Sequence, residues 1–303
     1  MDEQLARIVA LLEPDLGPRA GEPQVLSGGI TNRNVRVRLG EGDYVLRICG
    51  RDTEVLSIDR ETEVAATRNA HAAGIGPAVV RWIPEERCLV TGFIPGTPID
   101  AEQLREPGRL AEVGRALARV HAGPALATRF PTFELATGYA QAARERGGAV
   151  PEDDAAFARE LSERIRAALR GPEHAPVACH NDLLTANFID DGERLRIVDW
   201  EYAGMNDRYF DLGNLSVNNG LDEDEDRVLL EAYFGEPATE RRLAAVRLMR
   251  LMSDVREALW GVLQGVLSEL DVDYEAYAAE HFARLRAAAQ DPRLEEWLHG
   301  AAA

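Results

Sequence analysis

Lysine is absent: all 34 basic residues of this 303-residue chain are arginine. If the protein handles phosphate groups, arginine must make the contacts that lysine usually makes. Cysteine is scarce as well. Cys49, Cys88 and Cys179 are odd in number, widely spaced and match no zinc or CxxC pattern, so they read as reduced, buried small hydrophobes, and redox and metal-thiolate chemistry drop out. No apolar run approaches the roughly 18 residues that a membrane span needs, and the start MDEQLARIV is acidic where a signal peptide would be basic. The cytoplasm is the expected compartment. Positive charge is outnumbered, with 34 basic against 52 acidic residues and a formal net charge of -18. That balance repels nucleic acid and anionic membrane, and its field favours a cationic substrate; solubility is the plainer reading of most of the charge. There is no internal repeat and no low-complexity segment.

Hydrophobic residues make up 46% of the chain, enough to bury a sizeable core, and the length predicts two lobes. After a short amphipathic helix over residues 2–12, stopped by Pro14 and Gly17, the pattern turns to strands. Val35, Val37 and Leu39 alternate, Tyr44 to Ile48 follow, and glycine turns separate them, which predicts an antiparallel meander. A helix over 59–73, strands over 78–82 and 88–93, and the stretch Gly-Phe-Ile-Pro-Gly from Gly92 complete the first part. Beyond it the pattern is mainly helical, with a long apolar helix over 239–270 that leaves Trp260 off its stripe. Asn206 to Gly213 reads as a polar turn or short helix. The expected division is therefore 1–94 and 95–303: an α+β fold of two lobes, a small antiparallel sheet with one long helix against a larger helical lobe.

Polar residues at fixed intervals among apolar strands occur at 180–202, HNDLLTANFIDDGERLRIVDWEY. Asp182 and Asn187 are five apart in a loop, and Asp199 follows a strand 17 residues beyond Asp182. Phosphoryl transfer uses such a set: one carboxylate beside the attacking hydroxyl, and an amide oxygen and a second carboxylate as oxygen donors for magnesium. His180 has no second histidine at ligand spacing and reads as a residue that orients the loop. His121, at a helix end, reads as structural.

Other residues carry weaker signals. The turn with Gly28, Gly29, Thr31 and Asn32 is a plain hairpin turn or a place where backbone amides approach phosphate. Arg47, between Leu46 and Ile48, is an edge arginine or a phosphate contact held by Glu63 of the following helix. The extended backbone of Gly92, Phe93 and Ile94 suits an adenine edge.

HNDLLTAN followed by IVDWEYAGMNDRYFDLGN resembles the choline/ethanolamine kinase family, within the aminoglycoside-phosphotransferase group that shares the protein-kinase-like fold. LSGGITN, YVLRICG, the FIPG hinge, REALWGVLQ and DYEAYAAEHF extend the likeness over most of the chain. The resemblance implies ATP and Mg2+. It implies Asp182 as base, Asn187 and Asp199 as metal ligands, and Arg47 with Glu63 on the nucleotide phosphates, with Glu201 assisting. It places Trp260 and Tyr277 in an aromatic cage for the amine of choline or a similar small cationic hydroxylated substrate. Leu263 stands where a second tryptophan would be expected, and Asn218 where eukaryotic members have glutamate. A kinase of the same fold acting on an aminoglycoside, another amine or a sugar is the first alternative, and a nucleotide-binding pseudokinase the second. A homodimer is compatible with either.

Overall fold

Val35, Val37 and Leu39 do share one buried face. In the computed structural model, which describes residues 2–26, 32–50, 53–268 and 270–302, helix α1 (Glu3–Leu16) lays Leu5, Ile8, Val9 and Leu12 over that face. The helix continues through Pro14 to Leu16 rather than stopping before it, because proline in the last turn removes only one backbone donor. Strands β1 (Arg19–Val25), β2 (Asn32–Leu39), β3 (Gly42–Cys49), β4 (Val79–Ile83) and β5 (Cys88–Gly92) form an antiparallel sheet in the order β1-β2-β3-β5-β4. Gly28, Gly29 and Thr31 lie outside the described residues.

Leu46 and Ile48 of β3 join the core under α1. By the two-residue period of a strand, Arg47 between them projects from the opposite face. That face looks toward α2 (Arg60–Ala72), whose N-cap Asp59 accepts from the Thr62 amide at 2.7 Å and whose Glu63 is buried. The sheet lobe thus delivers one arginine and one glutamate to the same side.

Between Gly92 and Thr97 the chain passes to β6 (Thr97–Pro98), which pairs with the hairpin β8 (Phe188–Asp190) and β9 (Leu195–Ile197). A second small ribbon pairs β7 (Val177–Cys179) with β10 (Gly204–Asn206). The two ribbons hold the polar loop of residues 180–187 and the turn of residues 198–203 against each other. Around them pack α3 (Ala101–Arg105), α4 (Pro107–His121), α5 (Leu135–Glu145), α6 (Glu152–Ala168), α7 (Arg208–Asn218), α8 (Glu223–Phe234), α9 (Glu240–Leu267), α10 (Tyr274–Ala289) and α11 (Leu294–Ala302).

Helix α9 is the axis of this lobe and meets α5, α7, α10 and α11. Every residue from Leu251 to Gln264 is buried, so no polar stripe exists there and Trp260 is as enclosed as its apolar neighbours. Any charged residue in that stretch must find a partner inside the protein. At Gly261 an added Cβ would lie 2.9 Å from Tyr277 Cδ1, and this close approach of α10 brings the Tyr277 ring alongside Trp260. The segment 206–213, expected as a polar turn or short helix, runs into a longer one. It opens α7, an 11-residue helix buried almost throughout, whose polar residues face the loop rather than water.

Candidate active site

The loop after β7 is held by side chains from α7. Asp211, fully buried, accepts from the backbone amides of His180 at 2.8 Å and Asn181 at 2.7 Å and from His121 Nε2 at 3.0 Å. Burial works to raise its pKa, but the His121 contact and its other donors win and hold the carboxyl below the usual range. Asn214 accepts from the Leu183 amide at 2.6 Å, and Asn219 accepts from the Thr185 hydroxyl. His180 Nδ1 accepts from the Asp182 amide at 3.2 Å, and Nε2 lies 3.0 Å from the Val198 carbonyl. His180 therefore orients the loop, as its isolation in the sequence predicts, and His121 is structural. Asn181 sits at φ 67°, a left-handed conformation uncommon outside glycine.

The same loop is tied to the turn carrying Asp199. The Val198 amide donates to the Asn187 carbonyl at 3.0 Å, which sets Asn187 and Asp199 side by side, and Asp199 also has φ 67°. Asn187 Nδ2 donates to the Asp182 carbonyl at 2.8 Å, so its amide oxygen is turned away from the loop backbone. An amide oxygen beside a carboxylate, with no nitrogen or sulfur donor, is a donor set that fits a hard divalent cation such as Mg2+.

Arg47 meets three carboxylates. It is hydrogen-bonded to Asp199, its Nε lies 3.0 Å from Glu63 Oε1 and its Nη2 lies 3.7 Å from Glu201 Oε1. The Glu63 contact is close but out of line, leaving both of its atoms without a hydrogen bond. Burial alone would weaken the charge on Arg47; the three acids instead hold it firmly protonated. A second arginine stands behind it. Arg60 donates to Glu63 at 2.7 Å, to Glu201 at 3.1 Å and to Asn32 at 3.0 Å, and Asn32 in turn donates to Glu201 at 2.8 Å. Burial, then Asp199, pushes the Glu201 carboxyl up to about 7. Beside this cluster opens a cavity of about 390 Å³ bordered by Arg47, Asn187, Asp199, Gly92, Phe93 and Ile94. The Gly92 and Phe93 amides are already bonded to the carbonyls of Ala78 and Asp43, which corrects the expectation that the whole stretch is free; the Ile94 amide makes no backbone bond among the described residues.

On the other side of Asp182 stands a second charged cluster. Arg256, 2% exposed, donates through Nη1 to Asp182 Oδ1 at 2.9 Å and also to Glu257, and its guanidinium lies 4.4 Å from the Tyr202 ring centroid. Glu257 accepts from the Tyr277 hydroxyl at 2.7 Å, and Trp260 donates to the Tyr202 hydroxyl at 2.8 Å. Burial raises the Asp182 carboxyl, with Arg256 opposing and Glu257 reinforcing the rise.

Asp182, Asn187, Asp199, Arg47, Glu63 and Asn32 thus lie around one centre, and Trp260 and Tyr277 are neighbours at 5.6 Å between rings. Glu201 does not join those rings: it is bonded to Asn32 and Arg60, on the side of the cavity. Asn218 ends α7 with its amide nitrogen buried and unpartnered. Leu263 lies wholly in the helical core, so the group that meets Tyr277 one turn from Trp260 is Glu257. Arg60, Asp211, Asn214, Asn219, Arg256 and Glu257 escape a reading of the sequence. Only Arg256 and Glu257 leave a trace in it, as charges inside an apolar helix.

A carboxylate in a rigidly anchored loop, an oxygen donor pair and a buried arginine–glutamate contact beside a cleft define a phosphotransferase of the two-lobed kinase-like fold. Residues 22–246 match the model of the phosphotransferase enzyme family. A structure of a choline/ethanolamine kinase family protein from Mesorhizobium loti superposes with a TM-score of 0.83 at 32% identity, covering 99% of both chains. Ethanolamine kinase 1 of Mus musculus is 28% identical over 93% of this chain and 89% of its own. Choline kinase LicA of Streptococcus pneumoniae, at 22% identity and a TM-score of 0.78 over 95% of this chain and 99% of its own, shares the fold. The chain belongs to the phosphotransferase enzyme family and, within it, to the choline/ethanolamine kinase family. It is a small-molecule kinase. Among the described residues, no helix is long and apolar enough to cross a membrane.

Proposed function

We propose that the protein transfers the γ-phosphoryl group of ATP to the hydroxyl of a small amino alcohol, ethanolamine or choline. The observation that carries this reading is the placement of Asp182 between the cavity with its arginine–carboxylate cluster and the Arg256–Glu257–Tyr277–Trp260 cluster. The adenine lies against Phe93 and Ile94, and Arg47 and Arg60 draw the phosphates inward. Asn187 and Asp199 are the residues that would hold Mg2+, which supplies charge neutralisation on the phosphates when bound. Asp182 Oδ1 is tied to Arg256, while Oδ2 takes no hydrogen bond from the described residues and receives the acceptor's hydroxyl proton. The hydroxyl oxygen then bonds to the γ-phosphorus, the bond to the bridging oxygen breaks, and ADP leaves.

The test is ADP release from ATP and Mg2+ with ethanolamine, choline and an aminoglycoside as acceptors. Turnover with at least one amino alcohol is expected. Turnover with the aminoglycoside alone overturns the acceptor class, and no turnover with any acceptor overturns this kinase mechanism.

A further inference from the structure

Among the buried groups, Arg256 and Glu257 are not needed to explain phosphoryl transfer. They are consecutive residues in the middle of a helix that is buried on all sides, 2% and 3% exposed. Two adjacent charges in such a place are costly unless they pair, and Arg256 Nε still lacks a hydrogen bond. Arg256 Nη1 bonds both Glu257 and the base Asp182, so the two carboxylates stand within about two hydrogen-bond lengths of each other across a single nitrogen. The hydroxyl and the nitrogen of a 2-aminoethanol are separated by two carbons, roughly 3–4 Å at ordinary bond lengths. One carboxylate can therefore take the hydroxyl while the other takes the ammonium.

We infer that Glu257, with Arg256 setting its distance from Asp182, selects acceptors whose ammonium carries N–H groups over quaternary ammonium acceptors. This deepens, and rests on, the amino-alcohol reading above. A trimethylammonium group has no donor for a carboxylate and is held best by open aromatic faces. Here those faces are engaged. The Tyr202 ring is covered by the Arg256 guanidinium, and Trp260 is packed in T-shaped pairs with both Tyr274, at 72°, and Tyr277, at 64°. Glu257 keeps the Tyr277 hydroxyl on one oxygen and Arg256 on the other, and each oxygen retains a second lone pair for an N–H donor. Two acids against one arginine leave this cluster a formal charge of -1, which one ammonium neutralises.

The test uses the full chain with ethanolamine, its N-methyl and N,N-dimethyl derivatives, and choline, measuring kcat/KM and, by calorimetry without turnover, Kd. The expected profile drops by about ten-fold or more at the step that removes the last N–H, a loss in keeping with a hydrogen bond to a charged group. Glu257→Gln is expected to cut ethanolamine use roughly 10- to 100-fold and choline use far less, collapsing the ratio between them. Tyr277→Phe, which leaves the carboxylate and removes the hydroxyl that orients it, is expected to lower the same ratio by a smaller factor. Thermal melting and nucleotide binding check that each variant is folded. Equal Kd for ethanolamine and choline, or a parallel loss of both in folded Glu257→Gln, overturns the inference. Absence of turnover with every acceptor, with the Kd difference retained, would instead remove the kinase reading and leave the selectivity standing.

Discussion

The two sides of Asp182 are built from the same residue types and carry the same formal charge. On the proposed nucleotide side Glu63, Asp199 and Glu201 face Arg47 and Arg60, three acids against two arginines; on the proposed acceptor side Asp182 and Glu257 face Arg256, two against one. Charge count therefore does not tell the sides apart. Space and surroundings do. The first cluster borders a cavity of about 390 Å³ lined by apolar side chains such as Leu89, Phe93, Ile189 and Trp200 as well as by Arg47, Glu63 and Asp199. The second is closed in by Tyr202 of the turn and by Trp260 and Tyr277 on two helices that meet closely at Gly261. An open, polar-rimmed cleft suits a long polyanion with its metal, and a buried, ring-walled cluster with one acid in excess suits one small cation.

The variant that should cost most is Asp182→Asn, since it removes the proposed base on which both sides converge. Turnover is expected to fall by about 10²–10⁴-fold, the usual range for a general base, with ATP affinity retained. Near-normal turnover would mean that the carboxylate only positions the acceptor. Next in size is Asp211→Ala. It removes the acceptor of two backbone amides and of His121 at a fully buried position, and the expected loss is about 3 kcal/mol of stability by denaturant unfolding. A loss below 1 kcal/mol would show that the loop is held by Asn214 and Asn219 without it. A smaller effect, confined to one side, is expected of Arg60→Met: the KM for ATP rises about ten-fold while the acceptor KM stays within two-fold, as for one lost charged contact. If the acceptor KM rose equally, the two clusters would be one coupled site and the comparison would fail.

These residues were not equally readable beforehand. Asp182, Asn187, Asp199 and Arg47 could be named because strands and a short loop present polar side chains among apolar ones at intervals that one reaction explains. Arg60 could not. At a helix start, three residues before Glu63, it has the pattern of a solvated ion pair, and only folding brings Asn32 and Glu201 to it from 28 and 141 residues away. Asp211 and Asn214 were hidden by the same ambiguity. A segment rich in polar residues reads as a turn when the groups it satisfies lie in another part of the chain. Trp260 and Tyr277 were named from the resemblance alone and Glu257 beside them was not, since periodicity cannot tell which residues of an all-buried helix meet α10. The two lobes, by contrast, followed from the change of period after Gly92, a signal spread over many residues and robust to any single one.

Asp226 offers the smallest and most selective test, because it is a buried carboxyl beside arginines that belongs to neither cluster. It accepts from the Ser216 hydroxyl and lies 3.2 Å from Arg247 and 3.6 Å from Arg250, yet one oxygen lacks a hydrogen bond. Burial outweighs these partners and pushes its carboxyl up to about 6. The sign is opposite to that of Asp211, whose donors hold it low. A carboxyl with a raised folded-state pKa binds more protons folded than unfolded between about pH 4 and pH 6. Its contribution to stability therefore grows as the pH falls from above 6 toward 4. Asp226→Asn cannot titrate, so the difference in unfolding free energy between the natural protein and the variant should change by on the order of 1 kcal/mol across that window and stay flat above pH 7. Thermal or urea unfolding from pH 4 to pH 8 measures it. A difference that ran the other way, with the natural protein losing ground as the pH falls, would mean that the two arginines outweigh burial at Asp226, as His121 and the backbone amides do at Asp211.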